Sequence, residues 1–334
     1  MANPLYRNDK PGAYPDSWYV ASTEMPAPRP TLEGEHKADV CVIGAGFTGL
    51  SAALHLAEKG LSVVVLDAHR VGFGASGRNG GQVCSGFDMG PLQLAKRVGA
   101  DDARTLWDFA EEAKADLRAR VAAHVPEARY TPGLIHACNN AGDLNADREE
   151  ADFLRDRYGY DQLEVCDEDA LHAYINSPLY KGGVVDRGAG HLHPLRYVLA
   201  LARLAEAAGA QIFELSEVTQ IAHGTPATLQ TNHGRVTADH VVVAGNGYLP
   251  GLEPRIASRV MPLNSFIAAT EPLGDRAQDI IPSNMAVHDS LFVMHYFRLS
   301  EDGRLLLGGR PSYALGFPKD MTTDLLPIES ANLS

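Results

Sequence analysis

The sequence predicts an α/β protein in which a Rossmann-type parallel sheet accompanies a second, mixed or antiparallel sheet. Two observations carry this expectation. Residues 39–67 set out strand, glycine turn, helix and strand in unbroken succession. The runs at 259–273 and 291–300 alternate like the strands of another sheet, with proline punctuation, and 305–310 reads as a further strand of it.

The first stretch organises the chain. Val40, Cys41, Val42 and Ile43 form a short apolar run with the β-branched content of a buried strand. Gly44, Gly46 and Gly49 follow in G-x-G-x-x-G spacing. Leu50, Leu54, Leu56 and Ala57 then keep helical period until Gly60 ends the helix, and residues 63–66 are a second buried strand closed by Asp67. This is the dinucleotide fingerprint in the context it requires. Gly44 permits the tight turn, Gly46 leaves room for a pyrophosphate against the backbone, and Gly49 lets helix and sheet pack closely. The free N–H groups of the helix's first turn face the phosphates, with the dipole favouring negative charge. Asp67, about twenty residues after the first glycine, offers a carboxylate to a ribose diol and would repel a 2′-phosphate, which disfavours NADP. The stretch 40–57 carries no formal charge and is long enough to raise a membrane span. Its three glycines and Thr48, Ser51 and His55 favour the soluble reading.

Composition narrows the classes. A chain of 334 residues is about two domains by length, and 45% hydrophobic with 21% charged residues is the make-up of a globular enzyme. A net charge of −13 argues against nucleic acid or an anionic membrane as a general partner. Cys41, Cys84, Cys138 and Cys166 lack paired ligand spacing, so no metal site is expected, and they read as reduced thiols, Cys41 being a small core residue. The first residues lack the apolar core of a signal peptide, and a cytoplasmic location is expected. Residues 1–37 are rich in proline and carry Tyr6, Tyr14, Trp18 and Tyr19, the pattern of an irregular arm packed by its aromatics onto the body.

A second informative stretch follows Asp67. Gly72, Gly74, Gly77, Gly80, Gly81 and Gly86 are too many for one turn, and glycine at this density lets backbone approach a flat or charged ligand. Ser76, Arg78, Asn79 and Gln82 add hydrogen bonds and a positive charge; the bland alternative is a flexible surface loop. The unit G-A-G-F-T-G-L-S-A-A followed by G-A-S-G-R-N-G-G-Q resembles the FAD-dependent amine oxidoreductases of the D-amino-acid-oxidase/glycine-oxidase superfamily, and within it the γ-glutamylputrescine oxidoreductase group. The resemblance implies that Gly44, Gly46, Phe47, Thr48 and Gly49 surround the FAD pyrophosphate and that Asp67 holds the adenosine ribose. It implies that Ala75, Ser76, Arg78, Asn79, Gly80, Gly81 and Gln82 run past the pyrophosphate and the flavin ring. It further implies that the Val218 backbone meets the adenine and that Ala244 and Gly245, ending a buried strand at 240–244, close over the cofactor. The choice of FAD over NAD comes from the resemblance, since the βαβ unit fits both.

The domain expectation follows: an arm at 1–37, a discontinuous Rossmann-type FAD-binding domain with a parallel sheet at 38–90 and 183–255, a mixed or antiparallel-sheet substrate domain at 91–182 and 256–315, and an atypical tail at 316–334. Within these, 101–124 reads as an amphipathic helix capped by Asp101 or Asp102, with Ala103, Leu106, Trp107, Ala110, Ala113, Leu117 and Val121 as its apolar stripe and its charges on a solvated face. Residues 130–138 read as a strand, 143–158 as a helix, Asp167 as a helix cap, 195–208 as a helix closed by Gly209, and 210–214 as a strand, with another strand beginning at Glu217 and Val218. His191 and His193 are expected to bond backbone rather than to do chemistry.

The family implies oxidation of the C–N bond of a small amine, γ-glutamylputrescine or similar, by hydride transfer to flavin, with oxygen or another acceptor taking the electrons. Positioning and exclusion of water supply much of such catalysis, so no dedicated acid–base residue is required and none is evident. Tyr296, Arg298 and Arg310 are candidates for substrate contact, because a guanidinium fork fits a carboxylate. In the family a C-terminal glycine-rich segment returns beside the flavin ring, and after Arg310 none is visible. Two alternatives therefore stand beside the enzyme: an impaired, truncated flavoprotein remnant, and an NAD-dependent dehydrogenase.

Overall fold

The computed structural model describes residues 10, 12–249, 252–260 and 265–309. Its strands are, in chain order, β1 Gly34–Ile43, β2 Val63–Leu66, β3 Gln82–Val83, β4 Thr131–Ala137, β5 Leu163–Asp167, β6 Gly182–His191 and β7 Gln211–Phe213. They continue with β8 Gln220–Ala222, β9 Ala227–Gln230, β10 Gly234–Val243, β11 Phe266–Ala269, β12 Ala286–Asp289, β13 Tyr296–Leu299 and β14 Leu305–Gly309. Two compact units divide the chain, one from Met1–Arg78 with Pro194–Asn264, the other from Asn79–His193 with Ser265–Pro311.

The first unit is built on a six-stranded sheet of order β7-β2-β1-β10-β9-β8. β7, β2, β1 and β10 are parallel neighbours, with Val40 opposite Val63 on one side and His240 on the other. Val63–Leu66 are all buried, as in a strand covered on both faces. Helix Phe47–Glu58 makes the crossover from β1 to β2, buries Leu50, Ala53, Leu54 and Ala57, and packs against helix Pro194–Ala207. On one face of the sheet, Cys41, Ile43, Val64, Leu66 and Phe213 close a core with Leu32, Val218, Leu229 and Val236. The sheet departs from the wholly parallel expectation at one edge, where β8, β9 and β10 are antiparallel. Their short connections permit only hairpins, whereas a parallel pair needs a long crossover. The charge-free stretch at 40–57 is thus strand, turn and helix, and no helix among the described residues is long and apolar enough to cross a membrane.

The second unit holds an eight-stranded mixed sheet of order β11-β14-β13-β12-β4-β6-β3, with β5 also beside β6. Only the β12–β4 pair is parallel. Residues 79–90 and 183–193, expected in the cofactor domain, belong here, because β3 pairs with the end of β6, Gln82 opposite His191. The run 291–300 is a strand only at β13. Asp289 accepts hydrogen bonds from the backbone of Leu291 and His295 and turns the chain between them, leaving Phe292 97% exposed. Helix Ala100–His124 starts from Gly99, at φ 92°, rather than from an aspartate cap; Asp101 and Asp102 instead lie in the first turn, where they favour the dipole. Its stripe buries Ala103, Trp107 and Val121, but Ala113 is exposed and Lys114 is 3% exposed. The Lys114 ammonium is tolerated because Glu111 Oε1 lies 2.7 Å away and it donates to Ser85 Oγ at 2.6 Å. Asp167 caps its helix by accepting from the Ala170 N–H at 2.9 Å.

His191, 3% exposed at the end of β6, has its Nε2 3.0 Å from the Asn284 carbonyl oxygen. Burial, and secondarily the Arg298 guanidinium, push its pKa down to about 4. An unfolded histidine binds its proton near pH 6.5. Between pH 6.5 and 4 the unfolded chain therefore holds more protons, and stability falls as the pH drops through that window. The full effect is roughly 3 kcal/mol. Chemical denaturation at pH 7 and pH 4.5 should show His191→Gln losing less stability than the parent; equal losses would show that His191 is not the titrating group.

Candidate functional site

The carboxyl ends of β1, β2, β7 and β10 face one cavity, the position at which open α/β sheets bind ligands. Its volume is about 340 Å³, and it lies wholly within the first unit. The turn after β1 supplies Gly44 and Gly46, the segment after β2 supplies Asp67, His69, Gly72 and Phe73, and Val218 lines the wall beyond β7.

The glycines are required by contact. Gly44 has φ 105°, and a Cβ there would stand 2.6 Å from the Ala244 carbonyl oxygen. A Cβ on Gly49 would overlap the Gly44 carbonyl, so the helix can begin this close to the strand only without a side chain. Gly46 is different: its missing Cβ would meet the Ser76 hydroxyl at 2.8 Å, the end of a movable side chain. Ser76 Oγ also accepts the Phe47 N–H at 2.9 Å, which ties the second glycine-rich stretch to the helix start.

Asp67 sits between the two arms of the βαβ unit. Its Oδ2 accepts the Ala45 N–H at 2.7 Å, and its Oδ1 accepts the His69 N–H at 2.8 Å. Burial pushes this carboxyl above its usual range, while the two amides pull it down. Each oxygen keeps a lone pair for a further donor.

Half of the predicted cofactor residues converge here: Gly44, Gly46, Asp67, Ala75, Ser76, Val218, Ala244 and Gly245 all line the cavity. Thr48 is exposed on the helix, Gly49 serves packing, and the Phe47 ring lies 5.6 Å from Tyr197. Arg78 lies over the Phe73 ring, 4.9 Å from its centroid. The later residues belong to the second unit. There the Asn79 side chain accepts from the Gly81 N–H at 2.8 Å, Gly80 packs under the Tyr296 ring, and Gln82 Nε2 donates to the Val287 carbonyl at 2.9 Å. Arg298 is 5% exposed and donates to the Gly80 carbonyl through Nε at 2.8 Å and to the Leu299 carbonyl through Nη1 at 3.2 Å. Arg310 and the tail at 316–334 lie outside the described residues.

Sequence reasoning missed His69, Phe73, Thr219, Tyr248 and Leu249, all of which line the cavity. Their signal was positional: each follows the carboxyl end of a parallel strand, where side chains reach a ligand whatever their type. The site fits a dinucleotide cofactor. Its cradle is kept open where a Cβ would fill it, the helix Phe47–Glu58 starts directly after Gly46 of its lining, and the Asp67 carboxylate stands at the end of the second parallel strand.

The two glycines should separate on substitution. Gly49→Ala drives a methyl group into backbone that cannot yield and should cost about 3 kcal/mol or more. Gly46→Ala displaces only a serine hydroxyl and should cost about 1 kcal/mol or less. Urea melts of the two variants check this, and equal losses would contradict the packing role assigned to Gly49.

The comparisons with known proteins agree with this geometry. Residues 39–330 match the family of FAD-dependent oxidoreductases named for D-amino-acid oxidase. The match runs into the segment 316–334 that the sequence reading set apart. The chain is 42% identical to γ-glutamylputrescine oxidoreductase of Escherichia coli K12, over 93% of this chain and 73% of that protein. It is 39% identical to the probable oxidoreductase OrdL of Rhizobium meliloti, over 92% of this chain and 72% of the relative. Among solved structures it shares the fold of glycine oxidase from Geobacillus kaustophilus, with a TM-score of 0.65 and 19% identity over 89% of this chain and 76% of that one. L-proline dehydrogenase from P. horikoshii follows with a TM-score of 0.64 and 17% identity over 84% and 72%. The cavity, its glycine cradle and these likenesses converge: the chain belongs to the FAD-dependent oxidoreductase family of D-amino-acid oxidase, and FAD is its cofactor.

Proposed function

We propose that the protein oxidises the CH–NH bond of a small primary or secondary amine of the γ-glutamylputrescine type. The observation that carries this reading is the dinucleotide cavity of the first unit, in a chain 42% identical to γ-glutamylputrescine oxidoreductase. Bound FAD supplies a two-electron acceptor able to take a hydride from the carbon beside nitrogen. The overall change removes two electrons and two protons from the amine and gives an imine, which water hydrolyses to a carbonyl compound and free amine or ammonia.

The chain's own residues bind and orient. Gly44 and Gly46 leave the backbone open to the pyrophosphate, and the first turn of helix Phe47–Glu58 offers it N–H groups. Asp67 accepts from the adenosine ribose, and the carboxylate is held for that purpose by the Ala45 and His69 amides. In the second unit Tyr296 is the residue assigned to the substrate. Its ring rests on Gly80 and Gly308, where no Cβ intervenes, and its hydroxyl lies 3.2 Å from Ser265 Oγ. Arg298 is read differently: buried, with two nitrogens bonded to backbone carbonyls, it holds Gly80 in place under Tyr296 rather than offering a fork to a carboxylate. A proton acceptor on the protein is not needed, because an amine that arrives neutral requires positioning and exclusion of water. The electron acceptor is oxygen or another oxidant.

Absorption spectra of the FAD-loaded chain, taken anaerobically before and after γ-glutamylputrescine is added, test the proposal. The flavin bands should bleach on mixing and return when an electron acceptor is admitted. Bands that stay unchanged with this amine but bleach with an α-amino acid would overturn the substrate assignment.

A further inference from the structure

The N-terminal arm meets the outer side of the segment that carries Asp67, and the meeting point is a carboxylate with no accessible surface. Glu214 stands just past β7 and is 0% exposed. Its Oε1 accepts the Val71 N–H at 3.0 Å and lies 3.4 Å from Arg29 Nη1. Its Oε2 accepts the Arg29 N–H at 3.0 Å and Arg70 Nε at 3.1 Å. A buried anion persists only with such a set of donors.

Those donors come from two places: the arm, and the 67–73 segment whose Asp67, His69, Gly72 and Phe73 line the cavity. This segment has no ladder partner for Val71. The Val71 N–H goes to Glu214, and its carbonyl accepts the Tyr14 hydroxyl at 2.7 Å. Arg70 completes the join, donating to the Pro26 carbonyl at 2.6 Å and lying 5.0 Å over the Tyr14 ring. The chain beyond Glu214 pairs with the same segment: the Leu215 N–H donates to the His69 carbonyl at 2.8 Å and the Ser216 N–H to the Asp67 carbonyl at 2.7 Å. It then continues into Glu217, Val218 and Thr219, which form another part of the cavity wall.

We propose that Glu214, with Tyr14 and Arg29 of the arm, forms a clasp that sets the adenosine wall of the FAD cavity, so that Glu214 is a positioning residue for cofactor binding. The proposal rests on FAD occupying this cavity. Glu214 touches no part of the cavity itself. It fixes both wall segments from behind, and a shift of the 67–73 segment would carry the Asp67 carboxylate with it. The effect therefore belongs to the adenosine half of the cofactor and not to the flavin half.

The test compares FAD-loaded parent, Glu214→Gln and Tyr14→Phe. Each is diluted well below its melting temperature, and released flavin is read by fluorescence to give the dissociation constant. Displacement of FAD by AMP gives the affinity for the adenosine half alone. Glu214→Gln should weaken FAD and AMP together by about tenfold, and Tyr14→Phe, which deletes one hydrogen bond and should fold in any case, by about threefold in both. Variants that melt earlier but hold FAD and AMP as the parent does would overturn the clasp and leave only a structural role. FAD weakened with AMP unchanged would overturn the assignment to the adenosine wall. A parent that retains no FAD, even when loaded, would overturn the cofactor reading and the clasp with it.

Discussion

The first unit depends on one approach that only glycine allows. Helix Phe47–Glu58 begins so close to the end of β1 that a methyl group on Gly49 would overlap the Gly44 carbonyl. From that approach follow the register of the crossover, the direction of the helix's free N–H groups and the open backbone beside Gly46. The same device recurs at Gly77, where a Cβ would overlap the Gly72 carbonyl, so the second glycine-rich stretch is folded back by the same means. Ser76 joins the two, its hydroxyl at Gly46 and its oxygen on the Phe47 N–H. The cavity is the space these contacts leave.

A carboxylate governs each level of this region. Asp67 binds the Ala45 and His69 amides and so couples the first turn to the segment after β2. Behind it, Glu214 binds the Val71 and Arg29 amides and couples that segment to the arm. Both carboxylates are removed from bulk water, and each is held in place by N–H donors on either side of it. Held in this way, a loop that would otherwise fluctuate presents a defined edge to a nucleotide, which lowers the ordering cost of binding.

The elements legible in the sequence were those whose residues carry a period or a forbidden side chain. The β1–helix–β2 unit was readable because Val40 to Ile43 and Val63 to Leu66 are continuous apolar runs and because Gly44 and Gly49 stand where backbone contact forbids a side chain. Helix Pro194–Ala207 was readable from its apolar face. What escaped notice depends on residues far apart in the chain. Lys114 looked like a surface charge until Ser85 and Tyr160 met it, the latter's ring 5.1 Å away. Glu214 looked like the last residue of a strand, and only folding brings Arg29 and Arg70 to it. Arg298 carried the charge that a carboxylate substrate would need, yet the sheet buries it against the Gly80 carbonyl. The unit boundary also moved, because β3 has only two residues and its membership is decided by pairing with β6 rather than by its own pattern.

The central claim is that the segments after β1, β2, β7 and β10 together bind FAD in the first unit. Hydrogen exchange of the full chain with and without FAD, read by mass spectrometry, tests it most directly. The account predicts slowed exchange in peptides covering 44–47, 67–76, 217–219 and 244–249, with little change in helix Ala141–Phe153 of the second unit. Protection confined to peptides outside those four segments, or none at saturating FAD, would contradict it.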